Sequence, residues 1–163
     1  MFRSIAFVSL LAASPTWANC PAQPQPNFNV TKPGLVTDKQ TSLTWMRCSL
    51  GADWENGKCE NMPSRFEWKE AQKAIDNLNA KGGFGGYKDW RLPTAAELIT
   101  LVNTQCFHPA VDSHTFMDTQ PTVYWTGETD RTFPDAIKVV HFYHGGEYIT
   151  SQTKTWYVRA VRK

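Results

Sequence analysis

Residues 85–102 constrain the fold of this chain most strongly, because they join an extended half to the start of a helix. The extended half places three apolar residues among polar ones, namely Tyr87, Trp90 and Leu92. Pro93 follows and ends any strand there, since proline cannot donate a backbone hydrogen bond to a neighbouring strand. The segment therefore predicts a sharp corner between a strand and a helix.

The helix after this corner is predicted to begin at Thr94. Thr94-Ala-Ala-Glu97 has the sequence of a capping box. In such a box the threonine hydroxyl accepts from the glutamate N–H, and the carboxylate accepts from the threonine N–H. The apolar residues that follow recur at i, i+3 and i+4 and predict one buried face: Leu98, Leu101 and Val102.

Four residues of the corner are predicted to have structural roles: Asp89, Trp90, Arg91 and Glu97. Trp90 is expected in the core. Asp89 and Arg91 flank it, within reach of each other or of backbone carbonyls, so we expect Arg91 to hold loops together. A ligand-binding role for Asp89 or Arg91 is the alternative.

Residues 1–18 have the pattern of a secretory signal peptide. Arg3 supplies the positive charge, and residues 5–13 are apolar. This apolar run is too short to cross a membrane, which takes about 20 residues. A lipoprotein with Cys20 at its mature N-terminus is the alternative, but Asn19 poorly fits the small residue expected before such a cysteine. We therefore predict export to the periplasm or the cell exterior.

Size and charge indicate one domain without a strong electrostatic preference. Removing the 18 signal residues leaves 145 of 163 residues, enough for a single domain with a hydrophobic core. The formal net charge of +2 includes Arg3, so the exported chain is near +1. This balance gives no reason to expect a nucleic acid partner.

The four cysteines predict two disulfides. Cys20, Cys48, Cys59 and Cys106 are an even number in an exported chain, and three pairings are possible. We favour Cys48–Cys59, which closes a short loop, together with Cys20–Cys106, which ties down the N-terminal arm. A metal site is the alternative, but the chain has no Cys-x-x-Cys motif.

The first half of the chain predicts an arm, a hairpin and a helix. Residues 19–33 contain four prolines and predict an extended arm that cannot pair as a central strand. Residues 35–38 and 42–46 alternate around a polar turn and predict a hairpin. Ser64-Arg-Phe-Glu67 has the sequence of a second capping box, and the glycines at residues 82–86 are predicted to end its helix. The buried face of that helix is predicted to contain Trp68, Ala71, Ala74 or Ile75, and Leu78.

The second half predicts strands after a long irregular segment. Residues 106–122 show no periodicity, and such segments often carry function. Strands are predicted at residues 124–126 and 155–162, with a hairpin that turns at residues 144–146. Early helices and late strands without βαβ alternation indicate an α+β domain.

Several motifs carry a resemblance to a known family. Asp-Trp-Arg-Leu-Pro-Thr at residues 89–94, followed by a helix with an early glutamate, resembles the Lcl C-terminal domain family. Residues 38–48, 66–71 and 157–162 agree with it, so the domain is assigned to residues 34–163. Residues 91–97 are also similar to a segment of formylglycine-generating enzymes. Both resemblances imply a C-type-lectin-like fold, with two helices on a mostly antiparallel, twisted sheet and long irregular loops.

The sequence offers candidates for metal binding but none for catalysis. Zinc is disfavoured because the histidines lack zinc-motif spacing: His108, His114, His141 and His144. We predict no cofactor and no metal site. The lectin-like resemblance makes calcium the alternative, with five carboxylates as candidate ligands: Asp112, Asp118, Glu128, Asp130 and Asp135. The cysteine pair of formylglycine-generating enzymes has no counterpart after Cys106, and no Gly-x-Ser-x-Gly motif occurs. We predict that the protein is not an enzyme.

Binding is the predicted role, with a site on the loops at residues 51–60 and 107–135. Aromatic residues expected to stack on sugar rings are Trp54, Tyr124 and Trp125, although Trp125 also suits the core. Cations expected to bind sulfate or carboxylate groups are Arg131, Lys138 and Lys154, with Arg159 as a further candidate. The resemblance implies the same ligand, because the named family member belongs to an adhesin that binds sulfated glycosaminoglycans. This chain lacks the collagen-like repeat of that adhesin.

The sequence thus predicts an exported, non-catalytic, lectin-like module that binds an acidic or sulfated extracellular polysaccharide in surface adhesion. The alternative is a structural or protein-binding subunit of a cell-surface or pilus-type assembly.

Overall fold

The computed structural model describes Cys20, Gln25 and residues 27–163 of the chain. The predicted signal peptide and six residues of the proline-rich arm, 19, 21–24 and 26, lie outside these residues. The described residues form these strands and helices in chain order: β1 (Phe28–Lys32), β2 (Leu35–Asp38), β3 (Thr44–Met46), β4 (Asp53–Glu55), β5 (Lys58–Glu60), α1 (Trp68–Ala80), α2 (Ala95–Ile99), β6 (Val123–Thr129), β7 (Ala136–His141), β8 (Gly146–Ser151) and β9 (Val161–Arg162).

The first sheet is antiparallel, with the strand order β1-β2-β3-β9. β2 and β3 form the predicted hairpin, in which Val36 faces Trp45. β1 comes from the segment predicted as an arm and lies at the edge of the sheet, where its exposed residues leave one side to solvent. A proline-rich segment can contribute an edge strand because only one side of such a strand must donate to a ladder.

α1 begins three residues later than the capping box at Ser64 predicted. The Ser64 N–H donates to the Leu50 carbonyl at 3.0 Å, and Phe66 pairs with Trp156 as an isolated β-bridge. Residues 64–66 are therefore extended. Glu67 is the N-cap, and its N–H donates to the Glu70 carboxylate at 3.1 Å. The predicted helix face is otherwise found: Ala71 and Ile75 are buried, and Trp68 and Leu78 pack against the same cluster.

The capping box at Thr94 is confirmed. The Glu97 N–H donates to Thr94 Oγ1 at 3.1 Å, and the Thr94 N–H donates to Glu97 Oε2 at 2.8 Å. α2 is only five residues long, because the chain tightens into turns in which the Leu101 N–H donates to the Leu98 carbonyl. Leu98 and Leu101 are buried, so the predicted apolar face exists although the helix ends between them.

The second sheet is also antiparallel and has the order β6-β7-β8. β7 and β8 form the predicted hairpin. The strand predicted at residues 155–162 is wrong over most of its length, because Trp156 and Tyr157 form only single bridges, to Phe66 and Tyr124. The described residues form two helices and three antiparallel sheets, which confirms the predicted α+β class.

Two hydrophobic clusters lie on the two faces of these sheets. One surrounds Trp90 and Trp125, and the other surrounds Trp45 and Tyr124. Because neighbouring strand residues point to opposite faces, β6 supplies Tyr124 to one cluster and Trp125 to the other. The sheet is therefore buried on both faces where β6 lies.

Both predicted disulfides are present, Cys20–Cys106 and Cys48–Cys59. A short hairpin that the sequence analysis missed, β4 and β5, lies across the second disulfide, with Trp54 facing Cys59. In the part of the chain that the structure describes, no helix is long and apolar enough to cross a membrane.

Candidate binding surfaces

The corner at residues 89–97 contains two ion pairs. Arg91 donates to both carboxylate oxygens of Glu97, at 2.7 and 2.6 Å. Asp89 does not pair with Arg91 but accepts two hydrogen bonds from Arg162, at 2.7 and 3.0 Å. Trp90 lies between them in the sequence and is 2% exposed, as predicted. The two pairs connect the corner to α2 and to the last strand.

Arg91 is less buried than a purely internal cross-link would be. Its side chain is 42% exposed, and that of Glu97 is 21% exposed. Hydrogen bonds from Arg91 lower the pKa of the Glu97 carboxyl below its ordinary value, against a smaller opposing effect of burial. The same hydrogen bonds raise the pKa of Arg91. The pair is therefore ionised at neutral pH while one side of Arg91 faces solvent.

Two clefts meet at Arg91. The first, of about 470 Å³, lies between α1 and the corner and includes Gln72, Asp76 and Gly127. The second, of about 400 Å³, lies toward α2 and includes Thr41, Glu97 and Lys163. Arg91 lines both clefts.

The prediction that Tyr124 and Trp125 stack on sugar rings is wrong, because both side chains are 0% exposed. The Tyr124 hydroxyl lies 2.9 Å from Ser49 Oγ and accepts the Gln120 N–H at 2.9 Å. Trp125 Nε1 donates to the Phe66 carbonyl at 2.7 Å. Burial also raises the pKa of Tyr124. Alternation along a strand does not distinguish an aromatic residue that faces solvent from one covered by a second layer.

The prediction that Arg159 binds a sulfate or carboxylate group is also wrong, because Arg159 is buried. Its side chain is 0% exposed, and its Nη2 donates to Asp118 Oδ1 and to Thr119 Oγ1, both at 2.9 Å. It is an internal cross-link and cannot contact a polysaccharide.

Trp54 is half-buried and contacts other side chains on its ring. The guanidinium of Arg47 lies over the ring at 4.5 Å from the centroid. A Cβ at Gly34 would lie 2.8 Å from Trp54 Cγ, so the backbone approaches the ring closely as well. Trp54 thus lies against the first sheet, apart from the strands that carry the predicted cations.

The three predicted cations Arg131, Lys138 and Lys154 lie along one hairpin and the turns at its end. Arg131 is in the turn between β6 and β7, and the Lys154 N–H donates to the Ser151 carbonyl at 3.1 Å. Ala136 faces Ser151 across the ladder and brings the two turns together. Lys138 faces Ile149 and forms an ion pair with Glu147 at 3.4 Å. Ala136, Lys138, Ile149 and Ser151 share one face of the hairpin, since alternate and opposing residues point to the same side.

Phe133, which the sequence analysis missed, lies among these residues. It is 60% exposed and lines a cavity of about 470 Å³ with Pro134, Ala136 and Ser151. Asp130 holds the turn, because its Oδ1 accepts the N–H groups of Thr132 and Phe133, both at 2.9 Å. A lone aromatic in the turn-rich segment 130–135 is the signal that could have identified it. We call Arg131, Phe133, Lys138, Ile149 and Lys154 the turn face.

Most of the carboxylates considered as calcium ligands already bind the chain. Four of the five accept hydrogen bonds: Asp112, Asp118, Glu128 and Asp130. Glu128, for example, accepts from the Ala95 N–H at the start of α2 at 2.6 Å. Among the described residues, no group of three or more His, Cys, Asp or Glu side chains could hold a metal ion. Calcium therefore stays a hypothesis that a chelator can test.

Three of the four histidines lie together with exposed aromatic rings at the opposite end of the β7–β8 hairpin. The rings of His141 and His144 stack at 5.1 Å, and His108 contacts Tyr143 edge-on at 4.9 Å. The Tyr143 N–H donates to His141 Nδ1 at 3.1 Å. Burial, followed by the charge of His144, lowers the pKa of His141. These rings mainly contact one another, which is the arrangement of a packed turn.

A comparison of the sequence with protein families identifies the family of this chain. The model of the Lcl C-terminal domain matches residues 34–162, which covers most of the chain and all the strands after β1. The chain belongs to the Lcl C-terminal domain family. A search of curated proteins finds no match. Family membership and the two disulfides fit an extracellular binding module in an oxidising environment.

The Lcl C-terminal domain motifs are structural in this chain. The Asp-Trp-Arg-Leu-Pro-Thr segment forms the corner, and residues 157–162 pair with it at one point, where the Arg91 N–H donates to the Val161 carbonyl at 2.9 Å. These motifs therefore belong to the scaffold of the domain and not to the turn face.

Proposed function

We propose that this Lcl C-terminal domain is an exported, non-catalytic, lectin-like module that binds an acidic or sulfated polysaccharide in surface adhesion. The observation that carries the proposal is the turn face, where Arg131, Lys138 and Lys154 accompany an exposed aromatic ring beside a cavity. Cavities of this volume are typical of small-ligand sites. The C-type-lectin-like description of the fold belongs to the same proposal.

The chemistry of the turn face suits an acidic sugar chain. An arginine binds a sulfate or carboxylate through two parallel hydrogen bonds, and lysines add point charges along the chain. The ring of Phe133 offers an apolar surface to the C–H face of a sugar. Asp130 accepts backbone N–H groups and Glu147 pairs with Lys138. Asp135 also lines the cavity, and its negative charge opposes an acidic ligand, so the cations Arg131 and Lys154 have to outweigh it.

The absence of catalysis is part of the proposal. All four cysteines are in disulfides, so the chain has no free thiol to act as a nucleophile. Turnover of a thiol, ester or glycosidic substrate above background by the purified protein would contradict it.

A glycan array probed with the exported chain, with and without a calcium chelator, tests the proposal. We expect binding to sulfated glycans that weakens with salt, because exposed charges are screened. Arg131→Ala and Lys154→Ala should each reduce the affinity for heparin about fivefold, which corresponds to about 1 kcal/mol. Lys73→Ala, an exposed lysine on α1, is the matched control and should leave the affinity unchanged. A blank array, or equal losses in all three variants, would refute the proposal, and loss of binding in chelator would establish calcium as a cofactor.

A protein-binding role in a cell-surface or pilus-type assembly is the second candidate. β8 is an edge strand of its sheet, with Tyr148 49% and Ile149 45% exposed. Such an edge can accept a strand from a partner protein. A stoichiometric protein partner, captured by the wild type and lost in Ile149→Asp while no glycan binds, would favour this role.

A further inference from the structure

A further cavity, of about 240 Å³, lies between the β4–β5 hairpin and the C-terminal end of α1. Met46 belongs to the hydrophobic cluster around Trp90, and the other core-side residues pack against that cluster. Trp54 adds a wall from β4. We call this space the hairpin cavity, and most of its apolar lining comes from six residues: Met46, Cys48, Leu50, Trp54, Leu78 and Phe84.

Backbone groups in the wall of the hairpin cavity have partners within the protein. The Met46 N–H donates to the Ala160 carbonyl at 3.1 Å, and the Leu50 N–H donates to the Val158 carbonyl at 2.9 Å. The Leu50 carbonyl accepts the Ser64 N–H at 3.0 Å. Water and hydroxyl-rich ligands need several polar partners in a buried site, so this wall favours an apolar occupant.

The charged side chain in the lining lies at the mouth of the cavity. Asp53 is exposed, and its Oδ2 accepts a hydrogen bond from Asn61 Nδ2 at 3.0 Å. Gly51 also lines the cavity and is exposed, so these two residues mark the side that opens to solvent. A ligand that passes this mouth is surrounded by apolar side chains, which disfavour a charged group.

The two aromatic rings of the wall are held in place by the surrounding chain. A Cβ at Gly34 would lie 2.7 Å from Phe84 Cζ and 2.8 Å from Trp54 Cγ, so both rings pack directly on this glycine. Trp54 faces Cys59 across the β4–β5 ladder, and Cys59 is bonded to Cys48, which also lines the cavity. The cavity is therefore formed before a ligand binds, which lowers the entropic cost of binding.

We propose that the hairpin cavity binds a small, uncharged aromatic molecule of one or two rings. Its volume exceeds the roughly 150 Å³ of a buried apolar cavity that binds benzene. A guest ring can make edge-on or offset contacts with Trp54 and Phe84, and the thioether of Met46 favours an aromatic ring over an aliphatic group. This role is separate from the proposed function, because no residue of the turn face lines the hairpin cavity.

The test is an NMR titration of the exported chain, labelled with ¹³C at its methionine methyl groups, with benzene and with indole. A bound aromatic ring shifts the resonances of nuclei close to its face, so the Met46 methyl signal should move. We expect saturable shifts with a dissociation constant at or below about 1 mM for at least one probe. Met62 and Met117 are 73% and 37% exposed and are the controls in the same spectrum, which should not shift. No saturable shift at Met46, or equal shifts at all three methionines, would overturn the proposal.

Two variants and two further probes test the position of the site and the class of its ligand. Ala52→Leu enlarges a side chain of the lining, and Trp54→Ala removes an aromatic wall at a half-buried position; each should weaken binding of benzene or indole about tenfold. Ala80→Leu, at an exposed position of α1 outside the lining, is the matched control and should leave the affinity unchanged. Benzoate, which is charged, and cyclohexane, which has no π electrons, should bind at least about fivefold more weakly than benzene. Unchanged affinity in both variants, or either further probe binding as tightly as benzene, would contradict the proposal.

Discussion

Arg159 connects two distant segments of the interior, residues 46–49 and 118–119, through one guanidinium group. Its Nη1 donates to the carbonyls of Met46 and Arg47, and its Nη2 donates to Ser49, Asp118 and Thr119. Transferring this charge from water is unfavourable, and the five hydrogen bonds and the Asp118 carboxylate offset that penalty. Because Asp118 is itself 8% exposed, removal of the arginine leaves a buried negative charge.

We expect Arg159→Met to be among the most destabilising single substitutions in this protein. Methionine has a similar length but cannot neutralise Asp118, so the free energy of unfolding should fall by about 3–5 kcal/mol. Urea unfolding measures the change. Arg131→Met, at an exposed position, is the control and should change it by less than about 0.5 kcal/mol. Similar values for the two variants would show that Arg159 is not buried.

The Arg91–Glu97 pair makes stability depend on acid pH. The pKa of Glu97 is lower in the folded protein than in the unfolded chain, so its contribution is present above the ordinary carboxyl pKa of about 4.5 and is lost as pH falls through the folded value. Solvent around the half-exposed Arg91 limits that contribution to about 1 kcal/mol.

Glu97→Gln should therefore be less stable than the wild type at pH 7 and should approach it at about pH 3. Glu55→Gln, at an exposed carboxylate without an ion pair in the described residues, is the control. Unfolding curves between these pH values measure the effect. A constant difference between Glu97→Gln and wild type across the range would contradict it.

At the scale of elements, the end of α1 depends more on Gly83 than on Gly82. The Gly83 N–H donates to the Leu78 carbonyl at 2.8 Å, and Gly83 has φ +72°. A Cβ at Gly83 would lie 1.7 Å from the Tyr87 carbonyl oxygen, which real structures do not allow. Gly82 has φ +113°, and a Cβ there would meet nothing within 4 Å.

Gly82→Ala and Gly83→Ala separate backbone strain from steric clash. Both place alanine at a positive φ, which should destabilise by about 1–2 kcal/mol. Gly83→Ala should lower the free energy of unfolding by at least about 2 kcal/mol more, because the helix end must move away from Tyr87. Equal values in thermal or urea unfolding would mean that the turn adapts to a side chain at either position.

At the scale of the whole molecule, the two disulfides constrain the chain over very different distances. Cys48–Cys59 spans 11 residues and closes the β4–β5 hairpin. Cys20–Cys106 spans 86 residues and connects the N-terminal segment to the start of the long irregular segment. Neither disulfide-closed loop contains a residue of the turn face.

Replacing both cysteines of one pair by alanine should destabilise more for the long-range disulfide. Loop-closure entropy gives about 3 kcal/mol for Cys48–Cys59 and about 4–5 kcal/mol for Cys20–Cys106. Calorimetry or urea unfolding measures the difference, and heparin affinity measured on the folded variants should be unchanged. A folded variant that loses binding would place the ligand near the disulfide instead of the turn face.

Local signals in the sequence determined much of this structure. The capping box at Thr94, the end of α1 at its glycines and the two hairpins follow from neighbouring residue types, because hydrogen bonds and turn preferences over a few residues suffice for them. The two disulfides follow instead from the even number of cysteines in a chain with a predicted export signal. The box at Ser64 failed because residues 64–66 pair with a distant segment instead.

Only the tertiary structure decided which side chains face solvent. Tyr124, Trp125 and Arg159 have the residue types of a sugar-binding site, yet all three are enclosed. Arg159 reaches Met46, 113 residues away in the chain, and β6 is covered on both faces by separate clusters. Burial depends on contacts between segments far apart in sequence, and residue type and spacing do not specify those contacts. The same long-range packing exposes Phe133 and places the two clefts on either side of Arg91.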